Sequence, residues 1–402
     1  MLEPPHEDVT IPFLSKAKEL EDELIRIRRH LHKFPELGNQ EYETSTFIKT
    51  KLSEYGIQEF ASLPGTGVVA RIKGGKEGKT VAIRADIDAL PITEETGLPY
   101  ASANPGVMHA CGHDVHTTVG LGCAKVLNSI KDQIAGNVTF IFQPAEERLN
   151  GARDMISAGA LEQPQVDAIM ALHSWPDIPA GTIGVRKGPF LASADVFTIR
   201  VHGKQGHAAH PHRCVDPIVI SGQIVTNLQT IVSREIPPTE PLVVTIGKIQ
   251  GGTAPNIIPS VVEMAGTVRT LNPELRARIP EMLTRVVQGM ARAMRGEADV
   301  GYQWGTPPVI SDDTLYQLIE ENTKTILGEE KLVYLAEPSM GGEDFAFYLE
   351  KVPGVFFRLG TYSEKLGERA PLHSPFFAVD EACLPVGVAV MCRSVYSYLT
   401  VK

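Results

Sequence analysis

Apolar positions recur at helical spacing over residues 14–55. Leu20, Leu24, Ile27 and Leu31 form one stripe, Ser15 is placed to cap its start, and Pro35 ends it. The pattern resumes from Glu41 to Tyr55 and stops at Gly56. Short β runs follow at Gly67–Lys73 and Thr80–Asp86, then a helix at Thr117–Ser129 and a strand at Asn137–Phe142. A short helix over residues 153–160 precedes a strand, Ala168–Leu172, that delivers His173. The segment Gly74–Thr80 imitates a phosphate-binding loop, but its first glycine is one residue too close. An alternating strand (Val81, Ile83, Ala85) also follows where such a loop needs a helix N-terminus. It reads as a hairpin loop. Strands interleaved with helices predict an α/β sheet with function carried at strand ends.

From Ala194 the texture changes. The order is strand Val196–His202, helix Pro217–Ser233, strands Leu242–Gln250 and Ser260–Thr270, helix Pro273–Met294 and strand Asp299–Trp304. This β-α-β-β-α-β order predicts a ferredoxin-like α+β domain over residues 191–305, large enough to fold alone. It would interrupt a discontinuous α/β catalytic domain made of residues 1–190 and 306–402, a mixed sheet flanked by helices. Helices at Thr314–Leu327 and Cys383–Leu399 close the chain.

Composition narrows the class without changing this outline. At 402 residues the chain exceeds a single core, and 43% hydrophobic with 21% charged residues is ordinary for a globular protein. A net charge of −10 argues against a nucleic-acid surface. No membrane span is expected, and residues 1–8 lack the basic and apolar segments of a secretory signal. Five cysteines, at positions 111, 123, 214, 383 and 392, are sparse and odd in number, which suits a reduced, cytoplasmic protein.

The chemistry concentrates in Met108–His116, where a thiol, several imidazoles and a carboxylate share nine residues. Three further places carry donors beside Gly or Pro: Glu146–Glu147 after Pro144, His173, and His373 between two prolines. Singly, each has an ordinary explanation as a buried thiol, a solvated turn or a hydrogen-bonded histidine. Together, Cys111, His113, one of the pair Glu146 and Glu147, His173 and His373 supply five donors, more than one tetrahedral zinc needs. A bridging thiolate with two further ligands per ion would accommodate two metals about 3.5–4 Å apart. The neighbouring glutamates then divide the labour, one binding metal and the other taking a proton from water. Mixed S, N and O donors suit Zn first, with Mn, Co or Ni also compatible.

Residues 26–396 resemble the di-metal aminoacylase and carboxypeptidase family, in its branch of N-acyl-L-amino acid amidohydrolases, hippurate hydrolases and plant auxin-conjugate hydrolases. The likeness rests on Arg29–Leu37, Arg84–Pro91, Met108–His116, Phe142–Glu147 and Gly341–Phe345, in that order along the chain. The resemblance implies that Cys111 bridges two divalent metals, that His113, Glu147, His173 and His373 complete their ligation, and that Glu146 is the general base and later the acid. Where the broader family has a metal-binding His, this chain has Asp86. Asp88 is then expected to orient a ligand imidazole, with strand-end capping an equal alternative for both. The likeness further implies that His207 reaches the partner subunit's site as an oxyanion donor. Asn256 and Arg269 would hold the substrate's polar end, and Gly341 and Gly342 would let substrate approach closely. A satisfied loop Asn and a solvated strand Arg are the ordinary readings of the second pair.

The expectation is a metal-dependent amidohydrolase that cleaves N-acyl-L-amino acids to a carboxylic acid and a free amino acid. It would work as a homodimer through residues 191–305, that domain closing as a lid. Two rivals stand beside it: a dipeptidase or exopeptidase on the same scaffold, and a metal- or thiol-binding module without catalysis.

Overall fold

The computed structural model describes residues 11–400, so the N-terminal stretch read for a secretory pattern lies outside the described residues. These residues form two compact units. The first gathers the chain up to Gly188, Ile310–Ala336 and the chain from Phe347 onward; the second gathers Pro189–Val309 and Glu337–Ala346.

The first unit is built on an eight-stranded mixed sheet. Its strands run in the order Glu59–Phe60, Val68–Lys73, Ala135–Gln143, Lys76–Asp86, Ala168–Pro179, Gly354–Tyr362, Ile183–Val185, Leu332–Tyr334. Lys76–Asp86 runs parallel to both its neighbours, and Gly354–Tyr362 parallel to Ala168–Pro179. From Thr80 on, and through most of Ala135–Gln143 and Gly354–Tyr362, these central strands are buried with hardly a break, as strands covered on both faces must be. Helix His113–Ser129, buried nearly all round, packs on Lys76–Asp86 and against helices Glu21–Lys33 and Cys383–Thr400. By length and hydropathy Cys383–Thr400 could cross a membrane, but 67% of it is buried within this core.

Local details depart from the periodicity. Ser15 lies inside helix Phe13–Glu19, whose N-cap is Pro12, so it does not cap it. The helix expected from Thr117 starts at His113, four residues earlier. Strand Gly354–Tyr362, at the heart of the sheet, has no counterpart in the pattern reading, because a continuous apolar run carries no period. The expected hairpin is also absent. Val68–Lys73 and Lys76–Asp86 do not pair with each other; Ala135–Gln143 lies between them, antiparallel to the first and parallel to the second. The connection crosses the start of that strand instead, with the Gly74 and Gly75 amides donating to the carbonyls of Gly136 and Lys131. A strand far along the chain claims the hydrogen bonds that neighbours in sequence would have shared.

The second unit has a four-stranded antiparallel sheet in the order Leu242–Gly251, Val261–Thr270, Ala194–His202, Glu297–Thr306. Burial alternates along its inner strands, leaving one face for helices Pro217–Thr230 and Pro273–Ala293. Phe197, Ile199, Val201, Ile224, Val262, Met264, Ile279 and Leu283 are among the residues that form its core. Asp216 and Asn272 cap the two helices through the amides two and three residues on.

The crossing at Gly136 is the tightest point of the first sheet. Its φ is +95°, and a β-carbon there would sit 1.9 Å from the Lys79 carbonyl oxygen. Gly136→Ala is expected to destabilise the fold by more than about 1 kcal/mol, read as a lower urea midpoint, since both backbone conformation and space exclude a methyl group.

Candidate metal centre

The carboxyl ends of parallel strands bring the predicted donors together, as expected for an open α/β sheet. Strand Lys76–Asp86 ends at Asp86, with Asp88 just beyond; Ala135–Gln143 leads into Glu146 and Glu147; Ala168–Pro179 carries His173. Cys111 and His113 flank Gly112, which has φ +82° and no room for a side chain: a β-carbon would meet Ser174 Oγ at 2.1 Å. That left-handed turn sets Cys111 just outside helix His113–Ser129 and His113 on its first turn. His373, also at positive φ, is held by its amide bond to the Ala110 carbonyl.

Donor atoms converge in three overlapping groups: Cys111, His113 and His173; Cys111, Glu147 and His373; His113, Glu146 and Glu147. Within each, the donor atoms lie within 4.8 Å of one another. Cys111 Sγ is 3.5 Å from His173 Nε2, and Glu147 Oε1 is 3.4 Å from His373 Nε2. Two donors on one tetrahedral ion with bonds of 2.0–2.3 Å stand about 3.3–3.8 Å apart, so both pairs have the span of shared ligation. The Cys111 sulfur belongs to two of the groups, on either side of which a cation could sit.

Hydrogen bonds fix which nitrogen faces inward. His173 Nδ1 donates to the Ser174 carbonyl at 2.7 Å, leaving Nε2 toward Cys111. Burial, then His116, hold this imidazole well below its ordinary pKa, so it is neutral and able to ligate. His113 Nδ1 donates to Asp88, at 2.9 Å from its carbonyl and 3.2 Å from Oδ1. Its Nε2 is buried without a hydrogen-bond partner, though Asp86, Glu146 and Glu147 oxygens stand 3.6–4.0 Å away. Glu147 Oε1 is likewise buried without a hydrogen bond.

The electrostatics ask for positive charge. Burial would lower His113, yet Asp86 and Asp88 lift it to about 10. Burial pushes the Cys111 thiol well up, and Glu147, Glu146 and Asp86 push it further. Burial would raise Glu147, but His373 and His113 bring it below the usual carboxylate value. A thiol, three carboxylates and a buried imidazole nitrogen without a hydrogen-bond partner make a set that divalent cations would satisfy. The residues present fit such ions.

His116 closes the Met108–His116 motif, and the structure gives it a role. Its Nδ1 lies 2.5 Å from Asp86 Oδ1 and its Nε2 accepts the Ser174 amide at 2.7 Å, so both nitrogens are committed. It ties Asp86 to the strand bearing His173. Its spacing of three from His113, which puts both on one helix face, was the available signal. Asp86 is further held by Arg84 at 2.8 Å. Behind the turn, Arg28 and His32 pair with Asp114, and His32 also meets Glu94, all in a nearly dry setting.

The remaining predicted residues belong to the second unit. His207 pairs with Ile257 across a two-stranded ribbon, and the Ala208 amide donates to the Asn256 carbonyl, so His207 and Asn256 share one exposed corner. Arg269 donates to the Met340 carbonyl at 3.1 Å, and a β-carbon on Gly342 would lie 3.6 Å from its Nη1. Arg269, Gly341 and Gly342 are therefore neighbours.

Asp88 connects the two sides of the cluster, through its bonds to His113 Nδ1 and to the Glu147 amide at 3.0 Å. Asp88→Ala is expected to weaken divalent-metal binding roughly 10–100-fold, measured by titration with a competing chelator. Unchanged affinity would remove Asp88 from the centre.

The chain is similar to known proteins over most of its length. It is 46% identical over 365 residues to the N-acetylcysteine deacetylase of Bacillus subtilis, covering 90% of this chain and 93% of that protein. It is 45% identical over 296 residues to the N-acyl-L-amino acid amidohydrolase of Geobacillus stearothermophilus, covering 73% and 80%. Among solved structures it is similar to the Bacillus subtilis YXEP protein, described as a dinuclear metal binding peptidase from the M20 family. That match has 41% identity and a TM-score of 0.84, over 95% of this chain and 99% of that one. With residues 82–397 matching peptidase family M20/M25/M40, the chain belongs to that family.

Proposed function

We propose that the protein is a metal-dependent amidohydrolase that converts N-acyl-L-amino acids to a carboxylic acid and a free amino acid. The observation that carries this is the buried cluster of one thiol, unsatisfied imidazole and carboxylate donors, and a second glutamate beside the first. Its likeness to a deacetylase and an acyl-amino-acid amidohydrolase supports the same substrate class.

Cys111, His113, Glu147, His173 and His373 would hold two divalent cations, Zn by preference with Mn, Co or Ni compatible with the donors. When bound, such ions acidify water and draw electron density from the scissile carbonyl. Glu146, buried beside Glu147, takes the proton from the attacking water as its oxygen adds to the carbonyl carbon. It returns that proton to the nitrogen as the C–N bond breaks, releasing a neutral amine. Asp86 and Asp88 act from behind, holding His116 and His113.

The ferredoxin-like domain over residues 191–305 serves as lid and dimer interface. Its edge strand Leu242–Gly251 is open, with Ile249 56% exposed, and Ile218 and Val219 stand out from the neighbouring helix. Such a free strand edge and apolar helix face suit a self-complementary pairing. His207 from the partner donates to the oxyanion, Asn256 and Arg269 take the polar end of the substrate, and Gly341 and Gly342 leave room for it. The five cysteines are all free thiols, which suits a reducing cytoplasm.

A panel of N-acetyl, N-benzoyl and long-chain acyl amino acids, assayed on metal-reconstituted enzyme beside the matching dipeptides, tests the reading. Faster dipeptide turnover would make it an exopeptidase. Glu146→Gln is expected to retain its metal by elemental analysis while kcat falls roughly 10²–10⁴-fold; surviving activity would reject Glu146 as the base. His207→Ala should cost on the order of 10²–10³ in rate at unchanged metal content. An unchanged rate would reject its oxyanion role.

A further inference from the structure

Glu41 is a completely buried carboxylate that its own neighbourhood does not explain. It occupies the N-cap position of helix Tyr42–Glu54, yet its side chain accepts no bond from that helix. Glu36 does the capping instead, accepting the Thr44 amide at 2.8 Å and the Glu43 amide at 3.2 Å. The Glu41 carboxylate faces away from the helix and reaches across more than a hundred residues of sequence. One oxygen accepts the Ala145 amide at 2.9 Å and the other the Thr66 hydroxyl at 2.6 Å. Burying a carboxylate against neutral donors is unfavourable, so the arrangement needs a return.

That return lies at Ala145, the residue before Glu146. Ala145 has φ +53° and Leu149 φ +56°, so two non-glycine residues in the left-handed region bracket the turn Glu146–Arg148. Backbone of this kind persists only where surrounding contacts over-determine it. The Asp88 carboxylate fixes the Glu147 amide from one side. Glu41 fixes the Ala145 amide from the other. The two anchors divide between the glutamates: Asp88 grips the peptide of Glu147, and Glu41 grips the entry to Glu146.

We propose that Glu41 is a positioning residue, whose charge-assisted hydrogen bond to the Ala145 amide holds the strained turn so that the Glu146 carboxylate meets the attacking water and then the leaving nitrogen. This rests on the function proposed above. Because Asp88 holds Glu147 separately, loss of Glu41 lowers kcat while leaving metal content and KM nearly unchanged.

The test compares Glu41→Ala, Glu41→Gln and Glu41→Met in the metal-reconstituted full chain. Misplacing a reacting group by about 1 Å costs up to roughly 10²-fold, so Glu41→Ala is expected to lower kcat about 10–100-fold. Glu41→Gln, whose amide oxygen still accepts from Ala145, should stay within about threefold of the parent. If the alanine variant does not fold, Glu41→Met carries the test, since it keeps the volume and removes both acceptors. Two further readouts separate positioning from general loosening. In a Glu146→Gln background the Glu41 change should cost almost nothing more, because residues acting as a unit are non-additive. Hydrogen–deuterium exchange should accelerate in peptides covering residues 143–150 and not elsewhere in the first unit. Full activity of Glu41→Ala or Glu41→Met, a loss that multiplies through in the Glu146→Gln background, or exchange rising throughout the unit would each overturn the proposal. If the parent hydrolyses no acyl amino acid, the functional reading fails instead, while the exchange measurement still decides whether Glu41 tethers the turn.

Discussion

Negative charge and lone pairs packed together without enough hydrogens to share are the constraint on which the rest of this structure depends. Asp86, Glu146, Glu147 and the Cys111 sulfur crowd around His113 Nε2, which is buried and hydrogen-bonded to none of them. In a low-dielectric interior such a gathering is unfavourable by many kcal/mol unless cations occupy it. Asp86 and Asp88 lift His113 to about 10, which favours a proton there in the absence of metal. Two divalent ions fill the site better, because they satisfy several acceptors at once. The fold therefore stores, in its own repulsion, the affinity that a metal site needs.

What keeps the repulsion from opening the site is the layer behind it. Each inward-facing group is held at its back by a neutral or oppositely charged partner: His173 by the Ser174 carbonyl, His113 by Asp88, Asp86 by Arg84 and His116. One step further out, Arg28 and His32 neutralise Asp114 in a dry pocket, pinning the helix turn that begins at His113. Buried pairs of this kind add little net stability, but removing one partner leaves a stranded charge. They act as pegs, and the central parallel strands are the board that holds them.

Much of this was legible in the sequence because chemistry is sparse. A thiol and an imidazole around one glycine, two adjacent glutamates after a proline, and histidines at a strand end and between prolines stand out against an ordinary background. What was not legible depends on partners far away in the chain. The supposed hairpin failed because strand Ala135–Gln143 slides between Val68–Lys73 and Lys76–Asp86, and no local pattern announces a third strand. Gly354–Tyr362 was overlooked because a strand buried on both faces has no alternation to detect. His116 and Glu41 escaped for a related reason: a residue that positions another side chain looks like any polar residue until its partner is seen.

Sulfur at position 111 suits the same electrostatics. A carboxylate at 111, with its lower intrinsic pKa, would bring charge more readily into a pocket already holding three acids. A thiol defers that cost: burial and the acids together push its pKa well above the ordinary value, so without metal it stays neutral. A bound cation would reverse the balance, favouring the thiolate over the thiol. Charge then enters the pocket only together with the ions that compensate it. A neutral thiol adds no charge to the acids around it, so one cysteine can sit among three carboxylates in this cluster.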